Sequence, residues 1–335
     1  SMTLLVYFMW ALCIFIVSTF LSVPLYISII IITINDWKHV SGQKTINLLI
    51  ISQGIADLFL NLNFIVFIIL RHMPTTRQFF WDFQHYYIGT WCIDLYYVST
   101  IMRTIGILLI TVQRYLTMCA NGSCIEQWTN SGYRWILVII HWIFPFAYVL
   151  PIVGRDLQHF NDPIAMDVAA PSVLVTEANI IAFWFVLPAF VVCLFCYSSI
   201  LRYLFRHRLD RSVARQRERR VCVQMIGVVV ALTLCTVYHV LQFDFSLKAD
   251  EYPIFWMRRV AFPLLTCFMS YVNPWMMFLT SREIRQKVFA HYGLNHRCLK
   301  SNMFVVNEHE PTIVTFAAPR IKPISDQPLK LEGSL

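Results

Sequence analysis

Hydrophobic positions along the chain gather into seven long runs separated by short polar stretches. The runs are roughly Leu4–Ile34, Thr45–Leu70, Ile88–Met118, Trp135–Val153, Ala178–Leu201, Val221–Phe243 and Val260–Ser281. Each meets or approaches the about 20 mostly apolar residues that cross a bilayer as a helix. Five of the seven contain no Asp, Glu, Lys or Arg. The pattern predicts an all-α membrane protein, a seven-transmembrane helix bundle over residues 1–300. The fourth run is the shortest. The first is too long for a signal-peptide core and lacks a basic leader and a small-residue cleavage site, so it reads as a span with a kink near Pro24. No linker and no internal repeat divides the spans. Residues 301–335 are polar, carry four prolines and read as a disordered tail.

Composition agrees with the pattern. Hydrophobic residues make up 58% of the 335 and charged residues only 14%, which excludes a soluble domain of this size. The net charge of +8 is foremost a signal of orientation. With the N-terminus outside, the inner loops and the segment after the last span hold sixteen Lys or Arg, eight of them arginines from Arg202 to Arg220; the outer loops hold six. The protein is then a multi-pass plasma-membrane protein with an extracellular N-terminus and a cytoplasmic C-terminus. Its arginines sit between spans, so nucleic acid is not an expected partner; membrane lipid is. Of ten cysteines only Cys92 lies near the expected outer surface, and the outer loop between spans four and five has none. Cys193 and Cys196 form a C-x-x-C inside a span, where metal or redox chemistry is not expected. The single glycosylation sequon, at Asn121, falls on the inner side, where it cannot be used.

Three spans carry ordered polar motifs. Span two has Asn47, Ser52, Ala56, Asp57 and Leu58 as N-x4-S-x3-A-D-L. Span three ends in Gln113-Arg114-Tyr115, and span seven holds Asn273-Pro274-Trp275. After span seven comes SREIRQKVFAHY, with Ile284, Val288 and Phe289 at helical spacing and Arg282, Arg285 and Lys287 on the other side. That piece predicts a short amphipathic eighth helix on the inner leaflet. In this order the motifs resemble the rhodopsin-like G-protein-coupled receptors over about Leu4 to Tyr292. The short N-terminus, Q-R-Y-L and N-P-W resemble a nematode serpentine chemoreceptor of the Srg superfamily, with Srv as the suggested branch. Gln113 departs from the acid usual beside the arginine, Met277 stands where a tyrosine is expected, and span six has no proline. The disulfide from the third helix to the second outer loop is missing. Pro188 and Pro274 are expected helix distortions.

Arg103 lies in the middle of span three. Eleven residues place it about 16 Å from Arg114 and on nearly the same face. Asp57 lies about 15 Å, and Asn273 about 12 Å, above the same inner boundary. Three polar groups on three helices thus share a depth. An intramembrane charge costs roughly 2.5–3.5 kcal/mol on insertion scales and faces a partner. The expectation is a buried Asp57–Arg103 ion pair with Asn273 as a further hydrogen-bond partner, a candidate switch. The alternative is an arginine that snorkels or lines a water pocket.

The resemblance implies a chemosensory receptor, not an enzyme, in the plasma membrane and in a sensory cilium. It would bind an extracellular small molecule or peptide and activate a heterotrimeric G protein. Gln113, Arg114, Tyr115 and Glu218 are the expected coupling residues, with Glu218 a candidate resting partner of Arg114. Trp91, Asp94, Tyr96, Tyr97, Glu177, Trp184, Tyr238, His239 and Gln242 are the expected ligand pocket, an aromatic wall with few polar groups. Interfacial belt packing is the alternative for each. Cys298 is a lipidation candidate. No cofactor and no metal site is expected, because His39, His141 and His239 are scattered over separate spans. A transporter or channel would need paired broken helices or a polar pore stripe.

Overall fold

The computed structural model describes residues 2–39, 44–120, 122–130, 132–152, 157–164, 166–206, 213–248 and 251–293. The apolar runs become long helices. They are α1 (Met2–His39), α2 (Lys44–Phe64), α4 (Gly89–Cys119), α6 (Arg134–Val149), α7 (Ser172–Arg206), α8 (Val213–Leu247) and α10 (Phe262–Thr280), with short α3 (Pro74–Asp82), α5 (Cys124–Asn130) and α9 (Glu251–Trp256) between them. The expected eighth helix is α11 (Arg282–His291). It starts at Ser281, whose side chain accepts a hydrogen bond from the Ile284 N–H and so satisfies one of the free donors of the first turn. Lys287 ties α11 to α1 through both oxygens of Asp36, each at 2.8 Å.

Among the described residues, six helical stretches are each long and apolar enough to cross a membrane. The fourth run differs from expectation. Its helix α6 has 16 residues, about 24 Å of rise, which falls short of a bilayer alone. It meets the spanning criterion only jointly with α5, from which it is bent by 82°. Three spans also contain π-helical turns among the described residues: Ile65–Leu70 continues α2, Gln84–Ile88 leads into α4, and Met257–Ala261 joins α9 to α10. A π turn adds one residue to the hydrogen-bonded ring and so rotates the residues after it by about 100°.

Helix α4 is the central rod and packs against α2, α6 and α7; α7 meets α8, α8 meets α10, α10 meets α1, and α1 closes the ring on α2. Polarity is distributed inside out. Asp57, Asn61, Arg103, Gln53 and His141 are buried, while Phe20, Phe195, Trp184 and Ile143 are exposed. That distribution suits a hydrocarbon solvent, in which apolar side chains gain nothing by hiding and polar ones gain partners.

The segment between α6 and α7 folds into a two-stranded antiparallel hairpin, β1 (His159–Phe160) and β2 (Val168–Ala169), an element the hydrophobic pattern does not show. It sits on the start of α4. The Gln158 N–H donates to Thr90 Oγ1 at 2.8 Å, and the Phe160 N–H donates to Gln84 Oε1 at 2.7 Å. A Cβ on Gly89 would lie 2.2 Å from the Gln158 carbonyl oxygen, so only glycine lets the two backbones approach this closely. The expected tail at 301–335 and the lipidation candidate Cys298 lie outside the described residues, as do the sequon asparagine Asn121 and the side chain of Glu218.

Candidate functional site

A cavity of about 160 Å³ lies at the end of the bundle where α1, α4 and α10 begin and α2 ends. Phe8, Leu60, Phe64, Ile68, Leu95 and Phe262 supply apolar wall, and Asp167 and Val168 of the hairpin segment also border it. Arg71, Arg258 and Arg259 border it too. Two of the π turns, Ile65–Leu70 and Met257–Ala261, bear on their placement. Arg71 comes directly after one, and Arg258 and Arg259 stand within the other, so the altered phase brings them to the inner side.

The three arginines are not equivalent. Arg259 is neutralised by an ion pair with Asp167 and lies over the Phe255 ring, 4.4 Å from its centroid. Arg258 donates from Nη2 to the Tyr97 hydroxyl at 2.9 Å and lies 5.7 Å over the Tyr96 ring, while its Nε has no hydrogen-bond partner. Arg71 is only 7% exposed, lies 5.4 Å over the Phe160 ring, and has neither Nε nor Nη1 hydrogen-bonded. His72 stands beside it with Nδ1 2.6 Å from the Ile68 carbonyl. Burial, reinforced by the Arg71 charge, pushes the His72 pKa down to about 3. The ring is therefore neutral at pH 7, with Nδ1–H as donor to the carbonyl and no added cation.

Arg103 also borders the cavity, and beneath it the ion pair is in place. Arg103 Nε donates to Asp57 Oδ1 at 3.2 Å, and both side chains are buried. The other carboxylate oxygen, Oδ2, accepts from the Tyr26 hydroxyl at 2.9 Å and from Gln53 Nε2 at 3.0 Å. Arg103 Nη2 reaches Asn61 Oδ1 at 3.4 Å, and Ser270 Oγ donates to the same oxygen at 3.4 Å. The network thus joins α1, α2, α4 and α10. The depth count points to Asn273 as the third partner, and the structure corrects this to Asn61. Asn61 lies one helical turn from Asp57 on the same face of α2, so it meets Arg103 directly. Asn273 is half-buried and makes no hydrogen bond to Arg103 among the described residues.

Asn273 instead borders a second cavity of about 20 Å³, together with Gln53, Asp57, Arg114 and Gln224. That volume is about enough for one water. The ion pair therefore stands between two spaces, with Arg103 facing the larger one and Asp57 the smaller.

Residues 12–294 match the family described as the serpentine type seven-transmembrane GPCR chemoreceptor Srv. The chain belongs to the Srv family. Comparison with curated proteins returns no match. The protein is thus a multi-pass membrane protein of a chemoreceptor family, and the branch suggested by Q-R-Y-L and N-P-W is the one found.

In this Srv receptor, two of the expected pocket residues, Tyr96 and Tyr97, border the larger cavity. The others stand elsewhere. Tyr238 lies behind the wall, its hydroxyl paired with that of Tyr96 and accepting from Gln242 Nε2 at 3.1 Å. Asp94 is buried and accepts from the Tyr87 hydroxyl at 2.7 Å. His239 is buried with both ring nitrogens lacking a hydrogen-bond partner. Trp91 packs on Phe67 at 6.5 Å between ring centroids. Glu177 is half-buried on α7, away from the cavity, and Trp184 points outward, 63% exposed. Reading the chain missed Arg71, Arg258 and Arg259 because they fall just outside the apolar runs and count as outer-loop charges.

At the opposite end of the receptor, Arg114 is buried at the smaller cavity. Gln113 Nε2 donates to Asn130 Oδ1 at 3.2 Å, joining α4 to α5 where an acid would have faced the arginine. The Tyr115 ring packs on Phe195 of α7 at 6.2 Å between centroids. Gln224 Nε2 donates to Thr280 Oγ1 at 3.0 Å and so ties α8 to the end of α10. Pro188 and Pro274 lie inside α7 and α10.

Proposed function

We propose that the protein is a chemosensory receptor that binds a small molecule in the 160 Å³ cavity from outside the cell and activates a heterotrimeric G protein through the Arg114 end. The supporting observation is the position of the Arg103–Asp57 pair. It borders the cavity on one side and the smaller space containing Arg114 on the other. A ligand that contacts Arg103 changes the electrostatics of a group that also holds α1, α2 and α10, and so has differential contacts with which to bias their arrangement. The orientation rests on the basic residues, which concentrate on the Arg114 side.

The reading is tested by screening small molecules on cells that express the receptor with a G-protein-dissociation reporter. At least one compound should give a saturable response, and Arg114→Ala at equal surface expression should abolish it. A ligand-evoked membrane current that persists when G proteins are blocked would instead make the protein a channel.

A further inference from the structure

We infer that the cavity selects an organic anion, a small carboxylic acid with a ring-sized apolar body. The inference deepens the receptor reading and rests on it for the identity of the site. Around the cavity the described residues place four guanidinium groups, Arg71, Arg103, Arg258 and Arg259, against one carboxylate, Asp167. Asp167 is taken by Arg259, and at the floor Arg103 is taken by Asp57. Neutral His72 adds no charge at pH 7. Arg71 and Arg258 therefore carry two positive charges with no carboxylate of the cavity to balance them.

Burial makes this imbalance informative. A buried guanidinium is stable only with acceptors for its planar fork of donors. Arg71 has two nitrogens and Arg258 one that no protein group satisfies. Both side chains lie over aromatic rings, Phe160 and Tyr96, which fix the plane of the fork without using its N–H groups. An incoming carboxylate supplies two oxygens in the geometry that such forks bind best. An ammonium ligand would meet two like charges, and a neutral ligand would leave them uncompensated.

The rest of the lining fixes the body of the ligand. Phe64, Leu60, Leu95 and Phe262 offer no hydrogen-bonding groups, so inorganic anions gain nothing there. The volume of about 160 Å³ is close to that of an engineered apolar cavity of about 150 Å³ that accommodates benzene. One ring, or a chain of similar bulk, fills it.

The test uses the full-length receptor purified into lipid nanodiscs, with the ligand-dependent rise in Tm as readout. Benzoate, cyclohexanecarboxylate and hexanoate are each compared with the matching amide and amine, and with inorganic phosphate. The acids should stabilise the receptor saturably and bind at least about tenfold more tightly than their amides, with no effect of the amines. Arg71→Gln and Arg258→Gln should each weaken acid binding about tenfold or more, and the Lys variants should retain part of it. Elution as a single monodisperse peak separates lost binding from lost folding. Equal binding of acids and amides, preference for amines, or no binding of any acid would overturn the inference. Phosphate binding as tightly as the acids would overturn the apolar body. The assay contains no G protein, so the ligand class and the coupling can fail separately.

Discussion

Arg103 is tolerated in the middle of an apolar helix because two other helices, α1 and α2, bring oxygens to it or to its partner Asp57. Asp57 receives the guanidinium, Tyr26 and Gln53 together, which leaves neither carboxylate oxygen bare. Such a pair need not be worth more than a well-packed apolar substitute, but removing one half strands a charge at a cost of about 3–5 kcal/mol. Arg103→Ala alone should therefore reduce the yield of monodisperse receptor severely, and Asp57→Asn in the same background should restore part of it. If the second change gave no rescue, the direct pairing would be wrong. Depth counting along straight helices was enough to bring Arg103 and Asp57 together. It was not enough to find Asn61, although Gln53, Asp57 and Asn61 stand four residues apart and share one face of α2. Tyr26 had no such signal, since it lies in a run whose other residues are nearly all apolar.

At the scale of helices, the closest approach near the pair depends on a missing side chain. A Cβ on Gly106 of α4 would fall 1.6 Å from Gln53 Oε1 on α2 and 2.8 Å from His141 Nε2 on α6. Ser52 holds that His141 through a 2.8 Å contact with Nδ1 and accepts from Trp142 Nε1 at 3.1 Å, so the α2–α6 seam has little room to yield. Gly106→Ala should lower the Tm of the purified receptor, with overpacking of about 1–3 kcal/mol as the cause. Gly132→Ala, where nothing lies within 4 Å, should leave it unchanged. Equal Tm values for the two variants would show that α4 does not pack this tightly. The helices themselves were legible because seven apolar runs leave few alternatives. Their irregularities were not. Neither the π turn at Ile65–Leu70 nor the left-handed Tyr87, at φ 68°, holds a glycine or proline, and at Met257–Ala261 the one cue is Pro263, which cannot donate to the Arg259 carbonyl.

Across the whole molecule, the proposed orientation rests on where the basic residues concentrate. An epitope placed at the N-terminus should be labelled on intact cells, and one inserted at residues 207–212 only after permeabilisation. The reverse pattern would move the arginine-bordered cavity to the cytoplasmic side and remove it as an outward-facing sensor. The ligand site as a whole was only partly readable, because its cationic members come from segments that composition alone assigns to loops. The hairpin over the cavity has a consequence of its own. Cys92 is a free thiol, and no disulfide fastens the strands to α4 among the described residues. Among the described residues it is held by two backbone-to-side-chain hydrogen bonds, by the Arg259–Asp167 pair, and by Phe160 and Met166 buried against Phe80 and Cys92. With no cysteine between Cys124 and Cys193, the cover of the cavity is held by packing and hydrogen bonding alone, and its closure is indifferent to whether its surroundings are oxidising or reducing.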